Sequence, residues 1–372
     1  MKTTFLSATS ALALSAGVAT AGGLDRSYTS IGILFEAGNY AELSYGFTTP
    51  EVDGVDTLGN PIANVAADVG MVGGGFKVDM NEKLSLALIF DQPYGADVQY
   101  GGNPAGTMLG GTLADAESNA LTMLAKYRIS DRFSLYGGPR VVRAKGDITL
   151  SGGAYGPLSS YQVNLASDQG YGFVAGAAYE IPDIALRASL TYHSAVDLSF
   201  RSTETIPVAA GGTGLPVVTG NTKSELPQSV KLEVQSGIAA NTLLFGSVRW
   251  SEWEAFRIDP PSPQAPNLAS LDDQLTYELG IGRQFTSKLS GRLSISYEPG
   301  GPDDLVSPLS PTDGRTSVTV GGKYKLSESV DISGGVVHTW LGNARAQTAN
   351  TPRATFTDNT ATTFGLKIGV HF

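Results

Sequence analysis

The sequence contains no cysteine, so neither a disulfide nor a thiolate metal site can hold its fold. Long apolar runs are as scarce: past the N-terminal leader, no stretch approaches the roughly 20 consecutive apolar residues of a membrane-spanning helix. Histidine is reduced to three residues, His193, His338 and His371, each on its own segment, which excludes a zinc site read from histidine spacing. Cations are in deficit. With 25 Lys and Arg against 35 Asp and Glu, the formal charge is −10 and the pI about 4.8, a balance that excludes nucleic acid as a partner. The glycine run Gly73-Gly74-Gly75 is not followed by a helical pattern, so it does not read as a phosphate-binding loop. No metal or other cofactor is expected.

What the chain does have is strict alternation. In its last eleven residues, Phe364, Leu366, Ile368, Val370 and Phe372 fall on one face of an extended chain, and Thr363, Gly365, Lys367, Gly369 and His371 on the other. An apolar row on one face and a wet row of Thr, Gly, Lys and His on the other fit a strand between lipid and an aqueous lumen. Residues 1–21 read as a signal peptide, with Lys2, an apolar stretch over 5–18 and an Ala19-Thr20-Ala21 cleavage site. Export without a membrane helix leaves a barrel as the structure that satisfies its backbone in lipid.

From Tyr40 onward, one pattern repeats: an alternating segment, a short turn, an alternating segment, and a long polar loop. The expected strands are 40–48, 70–80, 83–91, 119–129, 132–147, 168–181, 184–200, 223–237, 241–258, 274–285, 288–298, 315–326, 329–341 and 359–372. Long loops are expected at 49–69, 92–118, 148–167, 201–222, 259–273, 299–314 and 342–358. Tight turns at one end and long loops at the other describe an all-β fold: a transmembrane antiparallel β-barrel of about fourteen strands in the outer membrane of a Gram-negative cell. Residues 22–39 form a short N-terminal plug or lead-in segment, and 40–372 the barrel.

Inward-facing cations are Lys126, Arg128, Arg140, Arg187, Lys231, Arg249, Arg292 and Lys323, in a lumen that also carries Glu180, Glu233, Glu278 and Asp331. They read either as a solvated ladder of charge or as a site for a passing carboxylate. The aromatic residues Tyr127, Tyr179, Tyr192, Trp250, Trp253, Tyr297, Tyr324 and Trp340 are expected in interfacial girdles. Apolar loop residues favour a ligand: Leu158, Tyr161, Val208, Leu215 and Val217 would collect a hydrophobic tail. Arg140, Arg187, Lys231 and Arg249 would meet its carboxylate. His193-Ser194 is the one pair from which a barrel-borne hydrolase could be built, but signatures of nucleophilic catalysis are missing, so the reading is not an enzyme.

Four stretches carry a resemblance. Leu226-Pro227-Gln228-Ser229-Val230-Lys231, Trp250-Ser251-Glu252-Trp253-Glu254-Ala255-Phe256, Tyr192-His193-Ser194-Ala195-Val196-Asp197-Leu198-Ser199-Phe200, and the run from Leu279-Gly280-Ile281-Gly282 to Tyr297-Glu298 resemble the FadL/TodX family of outer-membrane transporters for long-chain fatty acids and aromatic hydrocarbons. The resemblance implies a monomeric fourteen-stranded barrel plugged by its N-terminal segment. Its ligand would be captured between the third and fourth extracellular loops and released sideways through a strand distortion into the lipid of the outer leaflet. The family's Asn-Pro-Ala plug motif is absent from 22–39; Asn103-Pro104-Ala105 falls in an expected loop. The function expected is passive diffusion of hydrophobic small molecules, most of all long-chain fatty acids, with a general diffusion porin for small polar solutes as the alternative.

Overall fold

A computed structural model describes residues 24–372 apart from 28, 266 and 270. Residues 1–21, expected from sequence to be a signal peptide, lie outside the described residues. The alternating segments pair into one closed antiparallel wall of fourteen strands. In chain order these are Tyr40–Glu51, Val69–Asp79, Leu84–Asp91 resumed as Gly95–Gln99, Leu113–Arg128, Phe133–Leu150, Tyr161–Ile181, and Leu186–His193 resumed as Val196–Thr205. They continue with Pro216–Leu226 resumed as Ser229–Ala239, Thr242–Ser251, Gln274–Gln284, Leu289–Glu298, Arg315–Lys325, Val330–Leu341 and Thr360–His371. The last strand closes on the first, with Tyr40 opposite His371 and Glu51 opposite Thr360. Closure leaves no unpaired edge in lipid.

The wall is taller than the alternation suggested. The expected loop 148–167 shrinks because its flanking strands run up to Leu150 and down from Tyr161, leaving a 3₁₀ turn at Gly153–Leu158. The expected loop 201–222 likewise holds strand as far as Thr205 and again from Pro216, and 92–118 holds Gly95–Gln99. Two expected strands are interrupted. The seventh breaks at Ser194-Ala195, and the eighth at Pro227-Gln228, where proline has no N–H to give the ladder. The expected loops 49–69, 299–314 and 342–358 are not irregular: they supply Gly54–Asp56, Pro61–Ile62, Leu305–Val306, Ala344–Thr348 and Thr351–Phe356, a five-stranded sheet at the long-loop end. It packs Phe356, Ala354 and Ala346 onto Tyr100 and Leu109.

Below the level of Arg143 the outer row is apolar and the inner row polar. Phe133 and Leu135 are exposed while Ser134 and Tyr136 are buried; Leu121, Met123 and Tyr127 are exposed while Thr122 and Lys126 are buried. Above it the rows exchange character. Arg143, Lys145 and Asp147 are exposed on the outside, and Val142, Ala144, Ile148 and Leu150 are buried within. A charged side chain at the lipid midplane costs about 2–4 kcal/mol, so Arg143 marks where the wall leaves the bilayer.

Trp253 is not a girdle residue. The ninth strand ends at Ser251, and the 3₁₀ turn Trp253–Ala255 folds the indole inward, where it is fully buried and meets Tyr94 and Phe256 edge-on, each at 5.7 Å. Of the other aromatics, Tyr127, Tyr179, Tyr297, Tyr324 and Trp340 face outward and exposed.

Candidate functional site

Residues 24–39 lie against the inner face of the wall. Ile31, Ile33 and Leu34, part of a segment too short to bury itself, pack among Ala87, Ile89, Leu124, Tyr136, Val174 and Ala178. The Phe35 ring sits between two cations, with Lys126 Nζ 4.1 Å and Arg187 Cζ 4.3 Å from its centroid, and meets Tyr136 edge-on. Such contacts are worth about 2 kcal/mol where desolvated. Lys77 Nζ donates to the carbonyl oxygens of Glu36 and Gly38 at 2.9 and 2.8 Å. Higher up, Thr29 donates to Asp91 and accepts from Arg140 Nη2 at 3.1 Å.

The same segment meets a break in the wall. The third strand leaves its ladder after Asp91 and resumes at Gly95, and the second strand is paired with it only over Gly74–Asp79. Leu24–Ser27 runs across this break: Arg26 N and Ser27 N donate to Pro93 O at 2.8 and 3.3 Å, and Gly95 N donates to Leu24 O at 2.9 Å. Gly95 permits the approach, since a Cβ there would lie 2.5 Å from the Arg26 guanidinium.

Above the segment the inner row is apolar and encloses a cavity. Its walls are Ala144, Ile148, Leu165, Leu198, Phe200 and Leu226; Phe256 and Leu309 come from the loops, and Leu24 and Tyr94 from the segment and the break beneath. It holds about 80 Å³ in which a water-sized sphere can move. One water needs roughly 10–15 Å³ on that measure, so a small hydrocarbon or part of an acyl chain fits. An apolar cavity of this kind stays dry and takes apolar guests.

The residues singled out from sequence divide into three groups. Arg140, Arg187, Lys231 and Arg249 all face the lumen, but each is engaged. Arg140 bonds Thr29, Arg187 bonds Gln235 at 3.1 Å beside Phe35, Lys231 pairs with Glu233 at 3.0 Å, and Arg249 holds Asp25 at 2.7 Å. Tyr161 and Leu158 pack with the apolar cluster around the cavity, and the Tyr161 hydroxyl donates to Glu204 at 2.6 Å. Val208, Leu215 and Val217 project exposed from the hairpin above the seventh and eighth strands. None of the nine lines the cavity. Of the remaining inward cations, Lys126 meets Glu180, Arg292 meets Glu278 and Lys323 meets Asp331, acids that the sequence also put in the lumen. The exception is Arg128, which is exposed at the short-turn end. Among the described residues no group of acidic and histidine side chains is arranged to hold a metal.

The sequence profile of the "Outer membrane protein transport protein (OMPP1/FadL/TodX)" family matches residues 39–372. The chain belongs to this family. Among solved structures, a FadL homologue from Pseudomonas aeruginosa is similar to it at 17% identity and a TM-score of 0.74, over 96% of this chain and 97% of that one. The Pseudomonas putida toluene transporter TodX is similar at 13% identity and a TM-score of 0.67, over 95% and 96%. The Ralstonia pickettii toluene transporter TbuX is similar at 12% identity and a TM-score of 0.65, over 96% and 99%. At these identities the likeness is one of fold. No curated protein matches the chain by sequence.

A FadL/TodX barrel is an outer-membrane transport protein and not an enzyme. Its His193 and Ser194 fit that role: His193 is buried in the lumen near Arg140, Arg249 and Lys231, and Ser194 Oγ accepts from Phe173 N and donates to Ala195 O, holding the bend of the seventh strand. Sequence reasoning missed the cavity residues and missed Asp25 and Phe35. The signal for the cavity was present: an inner row that turns apolar at the height where the outer row turns charged.

Proposed function

We propose that this barrel carries hydrophobic small molecules, long-chain fatty acids foremost, into the outer membrane by passive diffusion, as a monomer whose residues 22–39 act as its plug. The observation that carries the reading is the dry chamber set on top of a polar lumen, with the N-terminal segment as its floor. Exposed Val208, Leu215 and Val217 would make the first contact with a tail. The chamber receives it, and release goes sideways through the break at Gln92–Tyr94 once Leu24–Ser27 lets go. The wet lumen below is crossed by Ile33, Leu34 and Phe35, which argues against a general diffusion pore for polar solutes. The toluene transporter TodX and the monoaromatic hydrocarbon channel CymD share the fold, so a neutral aromatic is the second candidate cargo.

Uptake of labelled oleate by cells tests the proposal. A strain lacking the protein should take it up several-fold more slowly than its parent, and recover on complementation. Equal uptake by the two strains would remove fatty acid as the cargo.

A further inference from the structure

We infer that the acidic pocket between the loops 259–273 and 299–314 is a second cargo site, which takes the primary ammonium head of a long-chain amine whose tail lies in the apolar chamber. The inference rests on the transport reading above for the chamber alone, and adds to it a cargo of the opposite charge. The pocket holds about 40 Å³ in which a water-sized sphere can move. One water needs roughly 10–15 Å³ on that measure, so an ammonium and its first methylenes fit. Asp272, Asp273, Glu298 and Asp313 line the pocket, and no Lys, Arg or His does. Asp272 and Asp273 are exposed, so the pocket is reached from the long-loop side. Leu271, Ser307 and Ser310 line both this pocket and the chamber. An amphiphile with its head among the acids passes its tail over these three residues toward Leu309 and Phe256.

Buried oxygens point to the guest. Glu298 is 1% exposed; its Oε2 accepts from Thr276 and Arg315 at 2.9 and 3.0 Å, while Oε1 receives no bond from the protein. Ser310 is 4% exposed, and its Oγ is likewise without a partner. A guest that donates hydrogen bonds removes the cost of leaving such atoms unmatched. Two further carboxyls close on Gly301: its N donates to Asp313 Oδ1 at 2.7 Å, and a Cβ on it would lie 2.5 Å from Asp272 Oδ2. Burial, followed by the charges of Asp272, Asp304 and Asp303, pushes the Asp313 carboxyl above its ordinary value despite the bond from Gly301. A cation in the pocket relieves that repulsion.

The kind of cation follows from the arrangement. The acids do not converge as metal ligands do. A primary ammonium carries its own three N–H donors, enough to serve Glu298 Oε1, Ser310 Oγ and a carboxylate oxygen separately. A quaternary ammonium has no donor, an alcohol has one donor and no charge, and a carboxylate meets charge of its own sign. Selectivity is the difference between these affinities, and it favours the amine.

Equilibrium binding of labelled dodecylamine and dodecanol to the full-length protein in zwitterionic lipid nanodiscs, with empty nanodiscs subtracted, tests the site. Dodecylamine should bind at least tenfold more tightly than dodecanol. Asp272→Asn combined with Asp313→Asn should abolish that difference and leave dodecanol binding as it was, which also reports that the variant is folded. Asp272→Asn alone, a change at an exposed position, should lose part of the preference. Equal binding of the two compounds by the unaltered protein, or a preference that the double variant keeps, overturns the site. Calcium bound by the unaltered protein and lost in the double variant gives the acids to a metal and overturns it too. Oleate entry into liposomes separates the two readings: entry without an amine preference overturns the site and leaves the transport reading standing, and an amine preference without oleate entry upholds the site and removes fatty acid as the cargo.

Discussion

Above and below Arg143 one continuous wall presents opposite chemistry. In the lower part Leu121, Met123 and Leu135 face outward, and the lumen holds Lys126, Arg292 and Lys323, each charge-paired with Glu180, Glu278 or Asp331. In the upper part Lys145 and Asp147 face outward and Ile148, Leu165, Leu198 and Phe200 face inward. The strands are the same and only the solvent has changed sides. Where lipid lies outside, the barrel is a membrane anchor with a polar interior; where water lies outside, it is a vessel for apolar molecules. The N-terminal segment sits at the junction, with Leu24 facing the upper chamber and Ile31 to Phe35 in the lower lumen.

Four changes break or sharpen that contrast. Deleting residues 24–38 removes the floor between the two parts, and should turn a barrel closed to ions into one with a steady ohmic current in planar bilayers. Next, paired polar substitutions separate the two apolar faces. Ile148→Asp puts a charge in the chamber and should cut oleate uptake at least tenfold, about 1.4 kcal/mol of lost binding, with the barrel still folded. Leu279→Arg, on the outer row at 63% exposure, should cost about 2–4 kcal/mol of stability in lipid and leave uptake per folded molecule unchanged, as urea titration in vesicles would report. Phe35→Ala removes the ring between Lys126 and Arg187; the segment should dock more weakly by about 2 kcal/mol, seen as brief channel openings rather than a constant current.

The smallest effect concerns the cap. Burial alone would raise the Asp56 carboxyl, but its bonds from Met108, Asn60 and Leu58 outweigh that and hold it below the ordinary 3.8. A depressed carboxyl contributes stability above its unfolded value and loses it as pH falls through the folded one. Amide exchange in Thr351–Phe356, which pairs with Gly54–Asp56, should therefore quicken below about pH 3.8, and Asp56→Ala should show the same at neutral pH.

Strand number, closure and the presence of both signs of charge in the lumen were legible because period-2 patterning is a local property. The chamber was not. Arg143 shares the outward row of Val141, and one charge in an otherwise apolar row does not by itself mark the level at which inside and outside trade chemistry. Trp253 read as a girdle residue because the end of its strand at Ser251 and the inward turn that follows depend on packing with Tyr94 and Phe256, far away in sequence. Asp25 and Phe35 carried no signal of their own; each acquires meaning from a wall residue more than ninety positions on. All four cations lie in the lumen, but the contacts of Arg140 with Thr29, Arg187 with Phe35 and Arg249 with Asp25 could be known only once the segment was seen against the wall.

On the function proposed above, the path through this barrel is open to oil and shut to water. Purified protein in planar bilayers and matching liposomes tests it directly, with ion current and oleate uptake measured on the same preparation. Oleate should enter with no steady current; a stable ohmic current without oleate entry would mean a water-filled pore and overturn the transport reading.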